Sequence, residues 1–324
     1  MTQRLAAALR LWNGRRYYSL DCYLKQTFGE KLYKLSLNGG MTCPNRDGTV
    51  GVGGCIFCSE GGSGDFAADV RLSMDEQIQQ AKQIVSRKFS GDRYIAYFQA
   101  FTNTYASVDY LERLFLPVIQ RDDIAVLSIA TRPDCLEDDK LRLLKRLNRL
   151  KPVWVELGLQ TIHPSTAEWI RRGYSLTCYD KAVRQLREIG VTVIVHTILG
   201  LPQETHEEML QTAAYVAQSG ADGIKLQLLH ILEGTPLAEQ YRSGTVTVMT
   251  EEDYLTAVTD IVSILPPEMV IHRLTGDGDR QKLLAPRWSG DKRHVLNAIH
   301  QRLKARNLYQ GIHWHESLPQ SLQN

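Results

Sequence analysis

The chain has 324 residues, of which 43% are hydrophobic, and its formal charge at pH 7 is +2. This length and apolar content suit one α/β barrel or two smaller domains. The near-neutral charge excludes a global basic field that would mark a nucleic-acid binder. No apolar run reaches the length of a membrane span, and the N-terminal apolar stretch is too short for a signal peptide, so we expect a cytosolic protein.

Strand-like and helix-like segments alternate along the chain. Residues 1–30 predict a helical extension, and KLYKLSLNGG predicts a first strand directly after it. From about residue 93, short runs that are apolar nearly throughout predict five more strands: RYIAYFQAF, IAVLSIATR, VWVELGLQ, VTVIVHTILG and DGIKLQLLHI. Longer amphipathic segments predict helices: SVDYLERLFLPVIQ, LEDDKLRLLKRLNRL, YDKAVRQLREIG, THEEMLQTAAYVAQSG and EEDYLTAVTDIVSIL.

This alternation predicts an α/β fold of about six βα units, that is, a partial (β/α)6 TIM-like barrel. We place the core barrel at residues 31–266, between the extension at 1–30 and a C-terminal extension at 267–324. A doubly wound open sheet is the alternative architecture. The absence of a G-x-G-x-x-G run after the first strand weakens that alternative.

Three of the six cysteines lie on the loop that follows the first predicted strand. Eleven residues separate Cys43 from Cys55, and Cys55 and Cys58 form a C-x-x-C pair. In an α/β barrel this loop lies on the face that carries active sites. A C-x-x-C pair is also typical of a zinc knuckle or a redox dithiol, but zinc needs a fourth ligand and a dithiol leaves Cys43 without a role. Three thiolates on a four-iron cluster would leave one iron open for a ligand.

Several longer blocks resemble one protein family. They are, in chain order, GGMTCPNRDGTVGVGGCIFCSEGGSGDFA, AYFQAFTNTYA, ATRPDCL, ELGLQT, RRGYS, ILGLPQET, DGIKLQLLHILEGTPLA, and IHRLTGDG with the later LLAPRW. Together they resemble the radical S-adenosylmethionine (SAM) superfamily and, within it, the YhcC/YtqA-like branch, relatives of the Elongator catalytic subunit. Most of that superfamily spaces its cysteines C-x3-C-x2-C, so the longer first gap favours a branch with a widened loop.

The resemblance implies two cofactors, a [4Fe–4S] cluster and SAM. Cys43, Cys55 and Cys58 would ligate the cluster, and Phe57 would shield it on one side. The open iron would bind the amino and carboxylate groups of SAM. An electron from a donor such as flavodoxin or ferredoxin would then release a 5′-deoxyadenosyl radical. The cofactors would supply this chemistry while the protein positions them.

The ends of the second and third strands would contact SAM by the same resemblance. Gln99, Thr102 and Asn103 stand where superfamily members carry a glycine-rich turn for the methionine amino group. Ala130 stands where many relatives place a carboxylate for the ribose hydroxyls. Arg132, two residues later, is expected to be a structural or substrate-binding group.

Later segments supply the other predicted SAM contacts. Gln160 resembles a ribose-binding glutamine, and Arg172 resembles the arginine that binds the methionine carboxylate, an anion that suits a guanidinium. Arg171 is the alternative to Arg172 in this role. Gly200 and Leu201 would present their backbone to the adenine.

Two charged residues are predicted to point into the barrel and are candidates for catalysis. The strand alternation places Glu156 on the same face as Gln160, and Lys225 lies on the sixth strand. An unpaired buried carboxylate is costly, so Glu156 is expected either in an ion pair with a Lys or Arg or at the SAM site. Lys225 would meet Glu156 or an anionic group of the substrate.

The substrate class stays open at the level of the sequence, because fold and cofactor chemistry do not determine it. The resemblance implies remodelling of a carboxymethylaminomethyl group to aminomethyl on C5 of the tRNA wobble uridine. The predicted helix LEDDKLRLLKRLNRL has a basic face, which is either a solvated surface or a contact for the RNA backbone. The basic residues of this face are Arg142, Lys145, Arg146 and Arg149. The alternatives are radical chemistry on a small metabolite or tetrapyrrole, and a zinc-stabilised RNA-binding protein.

Overall fold

The computed structural model describes residues 3–62, 67–87, 89, 91–276, 278 and 280–314. The polar tail beyond residue 314, and parts of the SEGGSGDFA and LTGDG blocks, lie outside this part of the chain.

The helices, in chain order, are α1 (Gln3–Leu11), α2 (Leu20–Phe28), α3 (Met74–Ser86), α4 (Val108–Gln120), α5 (Asp138–Asn148), α6 (Pro164–Trp169), α7 (Leu176–Glu188), α8 (His206–Gln218), α9 (Pro236–Arg242), α10 (Glu251–Ile264) and α11 (Lys292–Ala305). The strands are β1 (Tyr33–Leu37), β2 (Tyr94–Phe98), β3 (Ile124–Thr131), β4 (Val153–Gln160), β5 (Thr192–Leu199), β6 (Gly223–Leu228), β7 (Ile231–Leu232), β8 (Val270–Arg273) and β9 (Leu283–Ala285).

The described residues form two compact units. The cysteine-loop unit comprises Glu30–Leu159 and Glu168–Ile194, and the C-terminal unit comprises Met1–Gly29, Gln160–Ala167 and Val195–Asn324. These units divide the chain differently from the predicted boundaries at residues 31 and 266, which stay a prediction.

A parallel sheet has the strand order β1-β2-β3-β4-β5-β6-β8. In the cysteine-loop unit β1 pairs with β2, β2 with β3 and β3 with β4, all in parallel. In the C-terminal unit β6 pairs in parallel with β8, and the short strands β7 and β9 form an antiparallel pair. All six predicted strands are present, and β8 adds a parallel strand that the sequence pattern does not reveal.

Burial explains why the apolar runs become strands. Every residue of β2 is buried, and Leu35 and Leu37 of β1 are fully buried. Phe98 packs edge-to-face against Phe115 of α4, which holds that helix on the sheet. Hydroxyl side chains cap the N-termini of several helices by accepting a backbone N–H; they are Ser73, Ser107, Ser175, Thr205 and Thr250.

The N-terminal helices belong to the C-terminal unit. Leu5, Trp12 and Cys22 pack in one apolar cluster with Tyr309, which follows α11. The Tyr18 backbone N–H donates to Gln310 Oε1 at 2.8 Å, which ties the start of the chain to its last described segment. Among the described residues, no helix combines the length and hydropathy that crossing a membrane would require.

Candidate active site

The loop between β1 and α3 folds back on itself and carries three thiols. The Arg46 N–H donates to the Cys43 carbonyl at 2.8 Å, and the Cys58 N–H donates to the Cys55 carbonyl at 3.0 Å. Gly53 and Gly54 both have a φ of +83°, a conformation that favours glycine, and they reverse the chain just before Cys55. Local turns at both ends of the gap therefore order the loop in spite of its length.

The other two thiols influence Cys55 electrostatically. Cys43, Cys55 and Cys58 are all half-buried. Burial raises the pKa of the Cys55 thiol to about 12, and the neighbouring Cys58 and Cys43 add to this rise. A cation or a metal cluster would reverse this effect, because it stabilises the thiolate form.

The donor set fits a cluster held by three thiolates. Among the described residues, no three His, Cys, Asp or Glu side chains converge as the ligands of a single metal ion do. A four-iron cluster is wider than an ion, and each thiolate binds a different iron, so its ligands stand farther apart. Phe57 lies between the last two cysteines in the sequence and is half-buried. Its shielding of the cluster stays a prediction.

Arg46 binds the backbone at the end of the C-x-x-C pair, a role that the sequence alone does not reveal. Its guanidinium donates to the Ser59 carbonyl and, at 3.4 Å, to the Cys58 carbonyl. The same group lies over the ring of Phe101, 5.3 Å from its centroid. Arg46 therefore holds the backbone of Cys58 against the turn that follows β2.

The turn of residues 170–174 after α6 is bound to the cysteine loop. The Ile56 N–H donates to the Ile170 carbonyl at 3.2 Å, and Asn45 Nδ2 donates to the Arg171 carbonyl. Arg132 reaches the same turn, where its Nη1 donates to the Arg172 carbonyl at 2.9 Å.

Arg132 has the structural role that was one of its two predicted roles. Its Nε and Nη2 form a two-pronged ion pair with Asp134, at 2.9 and 2.7 Å. The guanidinium also lies 4.8 Å from the ring centroid of Tyr174. Because Arg132 is 8% exposed, this set of contacts rigidifies the turn from inside the unit.

Arg172, the predicted partner of the methionine carboxylate, is 4% exposed. Its Nη1 donates to the Leu159 carbonyl and its Nε to the Tyr174 carbonyl, both at 3.1 Å. Burial lowers the pKa of Arg172, and the nearby Arg132 adds to the effect. Arg171 is exposed and has a φ of +57°. The Arg172 side chain thus reaches the end of β4, and its Nη1 and Nε groups donate to backbone carbonyls.

We expect Arg172→Ala to weaken SAM binding by about 1.5–3 kcal/mol, or one to two decades in affinity, through loss of a charge-assisted pair. The iron content of the reconstituted protein should not change. Equilibrium dialysis with SAM measures the affinity, and Arg171→Ala is the matched control at an exposed neighbouring position. Equal affinities in the two variants would remove Arg172 from the SAM site.

Glu156 forms the predicted buried ion pair, and its partner is Lys34 of β1. Glu156 Oε1 accepts from Lys34 Nζ at 2.5 Å and from Ser128 Oγ at 2.8 Å. The side chain of Glu156 is fully buried, whereas that of Lys34 is 21% exposed. Lys34 Nζ also lies 4.3 Å from the ring centroid of Tyr97. This pair crosslinks β1, β3 and β4 inside the cysteine-loop unit.

The turn after β2 contains a buried acceptor without a partner. Asn103 is fully buried, and its Nδ2 and backbone N–H both donate to the Ala130 carbonyl, at 2.9 and 3.1 Å. Its Oδ1 has no hydrogen-bond partner among the described residues. Thr102, also buried, donates its N–H to the Thr42 carbonyl next to Cys43, and Gln99 is half-buried. An ammonium group such as that of SAM would satisfy Asn103 Oδ1.

The C-terminal unit contains the other predicted SAM contacts. Gln160 has a φ of +70°, and its buried Oε1 has no hydrogen-bond partner in the described part of the chain. Gly200 has a φ of +80°, and a Cβ there would lie 3.2 Å from Met249 Cβ. Leu201 is buried, and so is Lys225 on β6. A ribose hydroxyl would satisfy Gln160 Oε1, so this residue fits its predicted role.

The chain is similar to known proteins over most of its length. The Radical SAM superfamily matches residues 43–216, which include all three loop cysteines, and the Radical SAM C-terminal domain matches residues 221–305. YtqA of Bacillus subtilis is 46% identical over 92% of each chain. A tRNA uridine(34) acetyltransferase of Methanocaldococcus jannaschii is 27% identical over 47% of this chain and 28% of its own length.

The fold is also that of a solved structure. The archaeal Elp3 of Methanocaldococcus infernus superposes with a TM-score of 0.64 at 16% identity, over 86% of this chain and 64% of the longer Elp3 chain. The predicted α/β fold of the radical SAM type is thereby confirmed. The superfamily uses a [4Fe–4S] cluster and SAM, which confirms both predicted cofactors. The chain belongs to the Radical SAM superfamily and, within it, to the branch that includes YtqA.

Proposed function

We propose that this radical SAM enzyme modifies the C5 side chain of the wobble uridine in tRNA and converts a carboxymethylaminomethyl group to aminomethyl. The similarity to a tRNA uridine(34) acetyltransferase carries the proposal, because that relative acts on the same nucleotide position. This chain spans only 28% of that relative, so its acetyl-transfer activity is not part of the proposal.

The residues of the cysteine-loop unit would hold the cofactors. Cys43, Cys55 and Cys58 would ligate the cluster, and Asn103 Oδ1 would accept a hydrogen bond from the SAM ammonium group. Arg172 would pair with the SAM carboxylate. When bound, the cluster and SAM supply a carbon-centred radical for hydrogen abstraction.

By the family resemblance, later segments of the chain would contact the nucleoside part of SAM. Gln160 would accept from a ribose hydroxyl, and the backbone of Gly200 and Leu201 would contact the adenine. Lys225, which is buried on β6, stays a candidate for contact with the substrate. A small cytosolic protein such as flavodoxin or ferredoxin would donate the electron.

The outer face of α5 would contact the tRNA backbone. Four basic side chains there are all exposed: Arg142, Lys145 and Arg146 of α5, and Arg149, which caps its C-terminus. Asn148 Nδ2 of α5 donates to the Gly190 carbonyl beyond α7 at 2.8 Å, and α7 exposes Lys181, Arg184 and Arg187. Arg146 also pairs with Glu112 at 2.6 Å, so it is the least available of the four. This surface supplies local positive charge on a protein that is nearly neutral overall.

We expect the triple variant Arg142→Ala/Lys145→Ala/Arg149→Ala to bind tRNA more weakly and with a smaller salt dependence. Each lost phosphate contact reduces the slope of log K against log salt by about one, so the slope should fall by up to about three. Filter binding over a salt series measures this slope. Arg113→Ala/Arg293→Ala/Lys304→Ala removes equal charge from other exposed positions and should leave the slope unchanged.

Nucleoside analysis tests the proposal itself. A strain without this gene should accumulate the carboxymethylaminomethyl nucleoside at the wobble position and lose its aminomethyl descendants. Expression of the intact chain should restore the aminomethyl forms, and expression of Cys43→Ala should not. Unchanged wobble nucleosides in the deletion strain would reject the tRNA assignment and favour radical chemistry on a small metabolite or tetrapyrrole.

A further inference from the structure

We propose that Asn45 is a positioning residue that donates an N–H···S hydrogen bond to Cys55 and thereby raises the reduction potential of the cluster. Asn45 lies on the cysteine loop and is 4% exposed. Its Nδ2 lies 3.5 Å from Cys55 Sγ and also donates to the Arg171 carbonyl. The inference rests on Cys55 as a cluster ligand, but it does not depend on the tRNA substrate.

Chemistry determines which way the amide faces. A backbone carbonyl oxygen can only accept, so the amide atom that meets the Arg171 carbonyl must be the nitrogen. That nitrogen carries two hydrogens, and the structure offers two acceptors within reach, the Arg171 carbonyl and Cys55 Sγ. Both hydrogens of Asn45 therefore have a partner, and one of these partners is a predicted ligand atom.

The amide is also held in place from the other side. A Cβ at Gly51 or at Gly173 would stand 2.8 Å from Asn45 Oδ1, which shows how closely both backbones approach the amide. The Asn45 carbonyl accepts from the Gly54 N–H at 2.8 Å, directly before Cys55. This backbone bond keeps Asn45 beside the segment that carries Cys55.

Cluster ligation strengthens the case for this hydrogen bond. In the thiol form, Cys55 Sγ also lies 3.5 Å from the Arg171 carbonyl, to which it donates. A ligating sulfur has no proton and can only accept, so the Asn45 N–H is then the polar contact that suits it. Hydrogen bonds to cluster sulfurs change the reduction potential, because uptake of one electron increases the negative charge that they stabilise.

Potentiometric titration followed by electron paramagnetic resonance tests the inference on the anaerobically reconstituted protein, with dithionite as the electron source. Asn45→Asp keeps the side-chain shape but replaces the donor with a negative oxygen. We expect a lower midpoint potential at wild-type iron content. Gly51→Ala should shift the potential in the same direction, because its new Cβ displaces the amide. Asn148→Asp makes the same substitution at an amide of α5, outside the cysteine loop, and should leave the potential unchanged.

The outcomes separate the two assignments. Loss of iron in Cys55→Ala together with wild-type potentials in Asn45→Asp and Gly51→Ala would overturn the role of Asn45 and preserve that of Cys55. Wild-type iron in Cys55→Ala would overturn the ligand assignment and the inference with it. If Asn45→Asp does not fold, the potential of Gly51→Ala decides alone.

Discussion

Replacing Cys43, Cys55 or Cys58 singly with Ala is expected to abolish reductive cleavage of SAM. A four-iron cluster with two remaining thiolates would be lost, or would not present an open iron in the right place. The brown colour and the iron content of anaerobically reconstituted protein report the cluster, and release of 5′-deoxyadenosine reports the cleavage.

The other three cysteines provide matched controls. Cys22 and Cys135 are buried, and Cys22 packs in the apolar cluster around Trp12. Cys178 is half-buried near the start of α7, where its backbone N–H donates to the Ser175 side chain. Their Ala variants should keep full cleavage, since each thiol behaves as a small apolar group. A variant of Cys43 with normal cleavage, beside a variant of Cys178 without it, would contradict the ligand assignment.

Removing Lys34 is expected to destabilise the cysteine-loop unit strongly. Lys34→Met deletes the ammonium group that contacts Glu156 at 2.5 Å, on a carboxylate that is fully buried. Loss of one partner from a buried ion pair costs about 3–5 kcal/mol of unfolding free energy. Urea denaturation of the purified protein measures this cost.

The double variant Lys34→Met/Glu156→Leu separates structure from catalysis. Replacing both charges with apolar groups should recover most of the lost stability. If the pair is structural, the double variant should also cleave SAM normally. A stable double variant without cleavage would assign Glu156 to the SAM site, and a cost below about 1 kcal/mol in Lys34→Met would show that the pair contributes little.

The main sheet could be predicted because its strands are buried on both faces. Strands such as β2, buried throughout, leave a local apolar signature that needs no knowledge of the partner strands. The four-residue β8 has no such signature, since it becomes a strand only by pairing with β6, where Val270 lies opposite Gly223. The polar helix α3 was also missed, because only Gln77, Ile78 and Ala81 of its residues are buried.

The candidate site could be predicted only where spacing carries the signal. The three cysteines follow from their place after the first predicted strand, and Gln160 follows from the family resemblance. The role of Asn45 depends on Arg171, which is 126 positions away and reaches it only in the folded chain. Arg46 and Asp134 were missed for a related reason, since charged residues in loops usually face solvent. Asn45 itself resembles an ordinary turn residue in the sequence.

SAM cleavage and tRNA modification can be followed in a single reaction. The reconstituted enzyme is incubated anaerobically with SAM, a low-potential reductant and tRNA from the deletion strain, and both 5′-deoxyadenosine and the wobble nucleosides are quantified. We expect 5′-deoxyadenosine to form together with loss of the carboxymethylaminomethyl nucleoside, and neither change to occur with Cys58→Ala. Cleavage of SAM that leaves the wobble nucleosides unchanged would contradict the proposed substrate, and no cleavage by iron-loaded protein would contradict the proposed radical chemistry itself.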